Sequence, residues 1–523
     1  MKSTEEGFEV SAASGSGIWR RLATAVLLCC AVAAPVAAPA LAQKPKGKKP
    51  HPKPNVAGNL DPTFGRGGKV TVAFPAETEG DVRVKYDLPY SYASGHIEMA
   101  PAPGGKTVVA GATKMVRYLA NGQLDKSFGG GEVRIQRPAG RNFVLAAVAV
   151  DPQGRVLLAG TARQMPSNTT PNPLLSSAIL IRFTANGAPD PSFGDGGTLI
   201  TDFGLGAPKG AGGQAYVSPS VGLRSVVVDS QGRPVISGGY VKEFGDCSGS
   251  RQAISVGFVG RLTTNGALDP TFGEGGLRQV TDLASFPQVG FTPTGGLLAV
   301  GNGGGSCGDH EAGPTLELAG MSGEGVLDPN FGFSGFRVIE GLGNAPAVTV
   351  APSGKIDLLG PTHNSSRRVK NKGKGKDKPK YKSIPLAEET VTQLLPSGAA
   401  DPSFSRKGST QIVHGRDVSL SAIAVDAQGR LLLAGRVAKR VAPNSKKNGL
   451  RRSSFLVSRI TAKGEIDRSF GDKGEVTTGF GGPASSFATQ IVLLNGGRML
   501  VGGGISSPQL ASGGGFAIAK YVR

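Results

Sequence analysis

The chain reads as all-β, a ring of seven four-stranded antiparallel blades in which the N-terminal strand completes the last blade. Three observations predict this. A phrase of the form L-D-P-T-F-G-x-G-G, or a close variant, starts at Asp61, Asp125, Asp190, Asp269, Asp328, Asp401 and Asp467, with spacings of 64, 65, 79, 59, 73 and 66 residues. A unit of about 60 residues, repeated with insertions, is the mark of a repeat architecture. Between the phrases every piece is strand or turn, and no run has helical period. One unit is split between the chain ends.

The third phrase shows the unit in order: AVAVDPQGRVLLAGTA from Ala147, AILIRFTANG from Ala178 and DPSFGDGGTLITDF from Asp190. AVAV, RVLLAGTA, AILIRFT and TLITDF are short, rich in β-branched residues and bounded by P-Q-G and N-G turns, which makes four strands. The first hairpin returns at Val226, Val350, Ala424 and Leu493. A lone meander with apolar residues on both faces cannot bury them, so the copies must stack. The chain opens after its leader with GNLDPTFGRGGKVTVAF from Gly58, the last quarter of a unit, and stops with FAIAKYVR at Phe516 to Arg523, a third strand. Each end supplies what the other lacks. A closed seven-bladed β-propeller uses both, whereas an open solenoid needs capping repeats and no split unit.

The phrase and its period resemble the delta-60 repeat family of bacterial secreted and surface proteins, over residues 58–523. The resemblance implies a β-propeller and attaches no activity to it. Within the phrase, Asp then Pro predicts a type I turn whose carboxylate accepts local N–H groups, and the glycines supply positive φ. Phe64, Phe128, Phe193, Phe272, Phe331, Phe404 and Phe470 are expected between blades. One carboxylate per turn is a poor calcium cage, so no metal is expected there. DPNFGFSG at Asp328 and DPSFSRKG at Asp401 lose turn glycines, which predicts looser turns.

Residues 1–42 read as an export signal: Arg20 and Arg21 precede an apolar run that ends in Ala40-Leu41-Ala42. Residues 43–57 read as a Pro/Lys linker. No other segment is long and apolar enough to span a membrane, and the mature chain is expected outside the cytoplasm as a monomer. Removing the leader leaves Cys247 in GDCSG and Cys307 in GSCGD, in equivalent loops of adjacent units. In an oxidising compartment they predict a disulfide, with free thiols or a metal pair as the alternative.

The formal net charge is +20, and three tracts hold all of it. One is the linker. The second carries Arg367, Arg368, Lys370, Lys372, Lys374, Lys376, Lys378, Lys380 and Lys382, within an insertion at 361–385. The third, at 436–452, carries Arg436, Lys439, Arg440, Lys446, Lys447, Arg451 and Arg452. Both insertions follow the second strand of successive units and emerge on the face opposite the phrases. They predict an anion-binding surface for an anionic polymer or an acidic protein; nucleic acid is disfavoured by the export signal.

Nothing in the sequence builds a catalytic set. GDCSG at Gly245 imitates a protease motif but falls in a loop of the repeat, and GGKT at Gly104 aligns with a hairpin instead of a strand-to-helix turn. His51, His96, His310, His363 and His414 are scattered; Tyr90, Tyr92 and His96 sit in the first connection between blades. The expected function is binding or scaffolding without a cofactor. The alternative is a secreted hydrolase or lyase with its site at the centre of the ring.

Overall fold

The computed structural model describes residues 57–522 except 75–96, 166–175, 206–220, 248–249, 281–287, 304–314, 343–346, 362, 371–380, 415–416, 441–450, 483, 508–509 and 511–513. The described chain is a seven-bladed β-propeller. Blades 1 to 6 span 98–134, 141–201, 221–280, 288–340, 347–414 and 418–478. Blade 7 takes three strands, Ser485–Leu493, Met499–Ser506 and Gly514–Tyr521, from the C-terminus and its fourth, Lys69–Ala73, from the N-terminus. Pairing runs antiparallel from Lys69 opposite Ala519 to Ala73 opposite Gly515. Gly58 N–H donates to the Val522 carbonyl at 3.0 Å and Val522 N–H to that of Asn59 at 2.8 Å, so the two ends are tied again beyond the Ala519 end of that pairing.

The phrase explains how blade joins blade. In every copy the Phe side chain is buried, between 0% and 3% exposed. Each ring covers the turn glycine of the next blade: Phe64 on Gly122, Phe128 on Gly187, Phe193 on Gly266, Phe272 on Gly325, Phe331 on Gly398, Phe404 on Gly464 and Phe470 on Gly58. All seven glycines have positive φ, and a β-carbon on any of them would press on the ring. The residue after each Phe donates its N–H across the same seam. Gly65 bonds to Asn121 O, Gly129 to Asn186, Gly194 to Asn265, Gly273 to Glu324, Gly332 to Ser397, Ser405 to Lys463 and Gly471 to Ala57, at 2.7 to 3.0 Å. The seventh bond returns to the N-terminal segment. The ring is therefore closed by seven equivalent seams.

A basic residue on the third strand locks the phrase from within. Arg117, Arg182, Arg261 and Arg459 donate Nε to Asp125, Asp190, Asp269 and Asp467 at 2.7 to 2.8 Å. Each guanidinium also lies over the Phe of its own phrase, at 4.4 to 5.1 Å. In blade 7 Lys520 takes this place, 3.5 Å from Asp61 and 5.5 Å from the Phe64 ring. Arg117 and Arg261 reach the carbonyls of Ala185 and Gly323 in the next blade at 2.6 and 2.7 Å, Arg182 reaches Thr264, and Lys520 reaches Ala120 at 2.8 Å. The Asp also accepts from the Ser or Thr two residues on, as at Thr63, Ser127, Ser192, Thr271, Ser403 and Ser469. The expected turn chemistry is present, and a cation stands behind it.

Two expectations are corrected. The turns at Asp328 and Asp401 are not looser: Gly335 N–H still bonds Phe331 O at 3.0 Å and Gly408 N–H still bonds Phe404 O at 3.1 Å. Ser334, Ser405 and Lys407 occupy the left-handed conformation at φ of 51°, 48° and 54°, so the lost glycines appear as backbone strain of about 1 kcal/mol per residue. The insertions are also not plain loops. In blade 5, His363–Lys370 pairs with Tyr381–Leu394, and in blade 6, Leu431–Arg440 pairs with Arg451–Ile460, so each insertion is a hairpin that prolongs the second and third strands. Pro234–Cys247 and Ser250–Arg261 do the same in blade 3, where Cys247 ends a strand opposite Ser250. Residues 1–56 and Cys307 lie outside the described residues.

Candidate functional site

Antiparallel order fixes where the basic hairpins emerge. Turns between strands one and two and between three and four lie at one face with the phrases, so the turn between two and three lies at the other, alongside the connections between blades. Both hairpins belong to adjacent blades, whose shared core joins Leu359, Val391 and Phe404 to Leu420, Leu433 and Leu456. Arg367, Arg368 and Lys370 stand on the outgoing strand of the blade 5 hairpin and Lys382 on the returning one. Lys439 and Arg440, then Arg451 and Arg452, hold the corresponding places in blade 6. Lys372, Lys374, Lys376, Lys378, Lys380, Lys446 and Lys447 lie outside the described residues.

Register matters more than composition at this site. Lys439 is directly opposite Arg452 and Arg440 directly opposite Arg451. Lys439 and Arg452, directly opposed, share a face of the antiparallel pair, and like charges so placed repel. Arg436 and Lys439 are exposed; Arg452 is half-buried and donates Nη1 to the Gly482 carbonyl at 3.4 Å.

Between the same two blades lies a cluster that the sequence did not reveal. His414 closes the fourth strand of blade 5, Glu389 sits in its third strand, and Glu475 opens the fourth strand of blade 6. His414 Nδ1 is 2.9 Å from Glu475 Oε1, and Nε2 is 3.3 Å from Glu389 Oε2, with His414 and Glu389 both buried. His414 and Glu475 are 61 residues apart, a separation that only blade adjacency closes. Among the described residues no three side chains of metal-binding type are arranged to hold an ion.

Blade 5 also departs in its buried charges. At the third-strand position of the locking arginine it has Gln393, and opposite it stands Asp357, where other blades place Val108, Leu157, Val235, Leu298, Leu432 or Leu500. Gln393 Nε2 donates to Asp357 at 2.7 Å, while Lys355 takes over Asp401 at 2.6 Å. Burial pushes the Asp357 carboxyl up to about 6 against the Gln393 hydrogen bond, and its Oδ2 has no partner. The phrase aspartates shift the other way. Burial alone would raise Asp125, but hydrogen bonds from Ser127, Lys106 and Arg117 hold it well below the ordinary carboxylate range.

The first strands line the centre of the ring, and their described residues include one carboxylate, Glu98, and no histidine. Glu98 accepts from Gln490 across the closing seam, and Arg141 donates to Ser177 at 3.2 Å. Tyr90, Tyr92 and His96 lie outside the described residues.

Comparison with known proteins gives one family match and several distant structural similarities. A family described as a domain of unknown function (DUF5122) beta-propeller matches residues 103–128, which span the second and third strands of blade 1 and the start of its phrase, to Phe128. No curated protein matches the chain in sequence. Among solved structures, a protein of unknown function from Dyadobacter fermentans is 11% identical, over 75% of this chain and 98% of its own, with a TM-score of 0.35. Drosophila Semaphorin 2a is 8% identical over 80% and 72%, with a TM-score of 0.36. An ulvan lyase is 9% identical over 70% and 80%, with a TM-score of 0.25. Similarities this distant, to proteins this unlike one another, say nothing about activity.

Proposed function

We propose that this protein is a non-catalytic propeller of the delta-60 repeat type that works outside the cytoplasm and binds an anionic envelope polymer through the basic hairpins of blades 5 and 6. The observation that supports the reading is register: Lys439 stands directly opposite Arg452, like charges on one face of a hairpin beside a second basic hairpin. A fold that opposes cations across a ladder gains stability when an anion lies between them, and a linear polyanion can bridge both hairpins. The leader at 1–42 and the basic linker at 43–57 fit export, and the linker adds five positive charges to the same chain.

The test is binding of the mature protein to purified envelope polymers, heparin and DNA across a salt series. If about five charges engage, counterion release predicts an affinity loss of about a hundredfold between roughly 50 and 200 mM salt. Glutamine at the lysines and arginines of both hairpins should flatten that slope and leave the melting transition in place. Equal binding by the variant at every salt concentration contradicts the reading. Binding only to an acidic protein would move the partner to that class. Alkylation without reductant followed by intact mass decides the proposed Cys247–Cys307 bridge, since two labelled thiols would exclude it.

A further inference from the structure

Blade 4 breaks the phrase in a way no other blade does. The locking arginine is replaced by Gly320, against which the Phe331 ring is packed so closely that a β-carbon would sit 2.5 Å from it. No guanidinium can return there. Asp328, the partner that arginine would have had, is exposed, whereas in the other copies this Asp is buried or half-buried. Its carboxylate accepts only the Asn330 N–H, at 2.9 Å, and among the described residues no cation pairs with it.

The same turn exposes apolar side chains. Phe333 is 85% exposed, Val326 60% and Val338 49%. At the position of Phe333 the other copies carry Arg66, Gly130, Asp195, Glu274, Arg406 and Asp472. All three lie on the turn or on the strand that follows it. Phe333 bridges Phe336, the intervening Gly335 lies against Leu327, next to Val326, and Val338 shares its strand face with Phe336. Around this turn stand Glu324 and Asp328, both exposed, with Glu274 of blade 3 beside Glu324 through the Gly273 bond to the Glu324 carbonyl. Arg337 is the single exposed cation of that turn and strand. A net acidic rim on a chain of net charge +20 is a local inversion.

We propose that this phrase face of blade 4 is a docking surface for a basic segment of a partner protein, whose arginine or lysine pairs with the exposed Asp328 carboxylate beside the exposed Phe333. The molecule itself displays the recognition mode: in four other blades one guanidinium satisfies an Asp carboxylate and lies over an aromatic ring at the same time. Blade 4 presents an acid and an aromatic side chain outward with that cation absent, and apolar neighbours give an incoming segment an anchor. A second copy meeting patch to patch would oppose acidic rim to acidic rim, which disfavours self-association. The surface lies on the face opposite the basic hairpins and is independent of the polymer reading.

The probe is a labelled ten-residue peptide alternating arginine and leucine, with a control in which glutamate replaces arginine. The peptide should bind the full chain, the control should not, and Phe333→Ser with Asp328→Asn should weaken binding at least tenfold. Both substitutions are at exposed positions, and an unchanged melting curve establishes that the variant is folded. Peptide binding should also slow hydrogen exchange over residues 324–340. No binding at millimolar peptide, equal binding by the variant, or protection elsewhere overturns the proposal. So does a dimer of the free protein in sedimentation that disappears in Phe333→Ser, because the face would then belong to a second copy.

Discussion

The seam between blades 3 and 4 and the seam between blades 4 and 5 are built from the same phrase and held differently. At the first, Arg261 binds Asp269, lies over Phe272 and reaches the Gly323 carbonyl of the next blade. At the second, Phe331 still covers Gly398 and Gly332 still donates to Ser397, but among the described residues no cation stands behind them. Apolar packing and one backbone bond thus suffice to form a seam, and the cation is an added lock. Blades that omit the lock are free to spend those positions otherwise: blade 4 on an exposed patch, blade 5 on buried Asp357 with Gln393.

The largest expected effect concerns closure. Deleting residues 57–74 removes the fourth strand of blade 7 and the acceptor of Gly471, so thermal unfolding should lose its cooperativity, a destabilisation above about 5 kcal/mol. An unchanged melting curve would mean that the terminal strand does not close the ring. Next is Arg261→Met, which leaves buried Asp269 with Arg233 as its one remaining cation, at 3.1 Å. Breaking a buried pair costs about 3 to 5 kcal/mol, so a large fall in melting temperature is expected and can be read by calorimetry. A negligible fall would make the lock ornamental and erase the distinction between the two seams.

Asp357 sharpens the comparison through pH. Its folded value, about 6, is above the ordinary 3.8, so the fold favours the neutral acid. That contribution is complete below pH 4 and is lost as pH rises through 6. Asp357→Asn should therefore stabilise by about 2 to 3 kcal/mol at pH 8 and leave stability unaltered at pH 4. The phrase aspartates act in reverse. Burial would raise Asp190 and Asp269, yet Ser192, Thr271 and the arginines lower them, so their contribution holds at neutral pH and is lost as pH falls below 4. Denaturation midpoints across pH should show a maximum between the two ranges. The smallest effect is Asp328→Asn, expected within about 0.5 kcal/mol because no cation is abandoned.

The ring, the split blade, the buried Phe and the Asp turn were all legible in the sequence because each recurs at fixed spacing. The locking cation was present too, eight residues before Asp125, Asp190, Asp269 and Asp467, but a lone arginine in a strand reads as solvent-facing unless copies are aligned. In blade 7 even alignment hides it, since Lys520 and Asp61 stand at opposite ends of the chain. The hairpins were missed because Lys, Gly and Pro suggest a loop, whereas the ladder continues through backbone bonds that ignore side-chain type. His414, Glu389 and Glu475 carry no motif and meet only through the packing of blade 5 on blade 6.

The seven amides that cross the seams test the central claim most directly. Native-state hydrogen exchange, read peptide by peptide, should find Gly65, Gly129, Gly194, Gly273 and Gly471 exchanging only with global unfolding. Gly332 and Ser405, at seams whose blades lack the locking cation, should exchange faster by local opening. Fastest exchange at Gly471, where the N-terminal segment closes the ring, or equal protection at all seven would contradict this account.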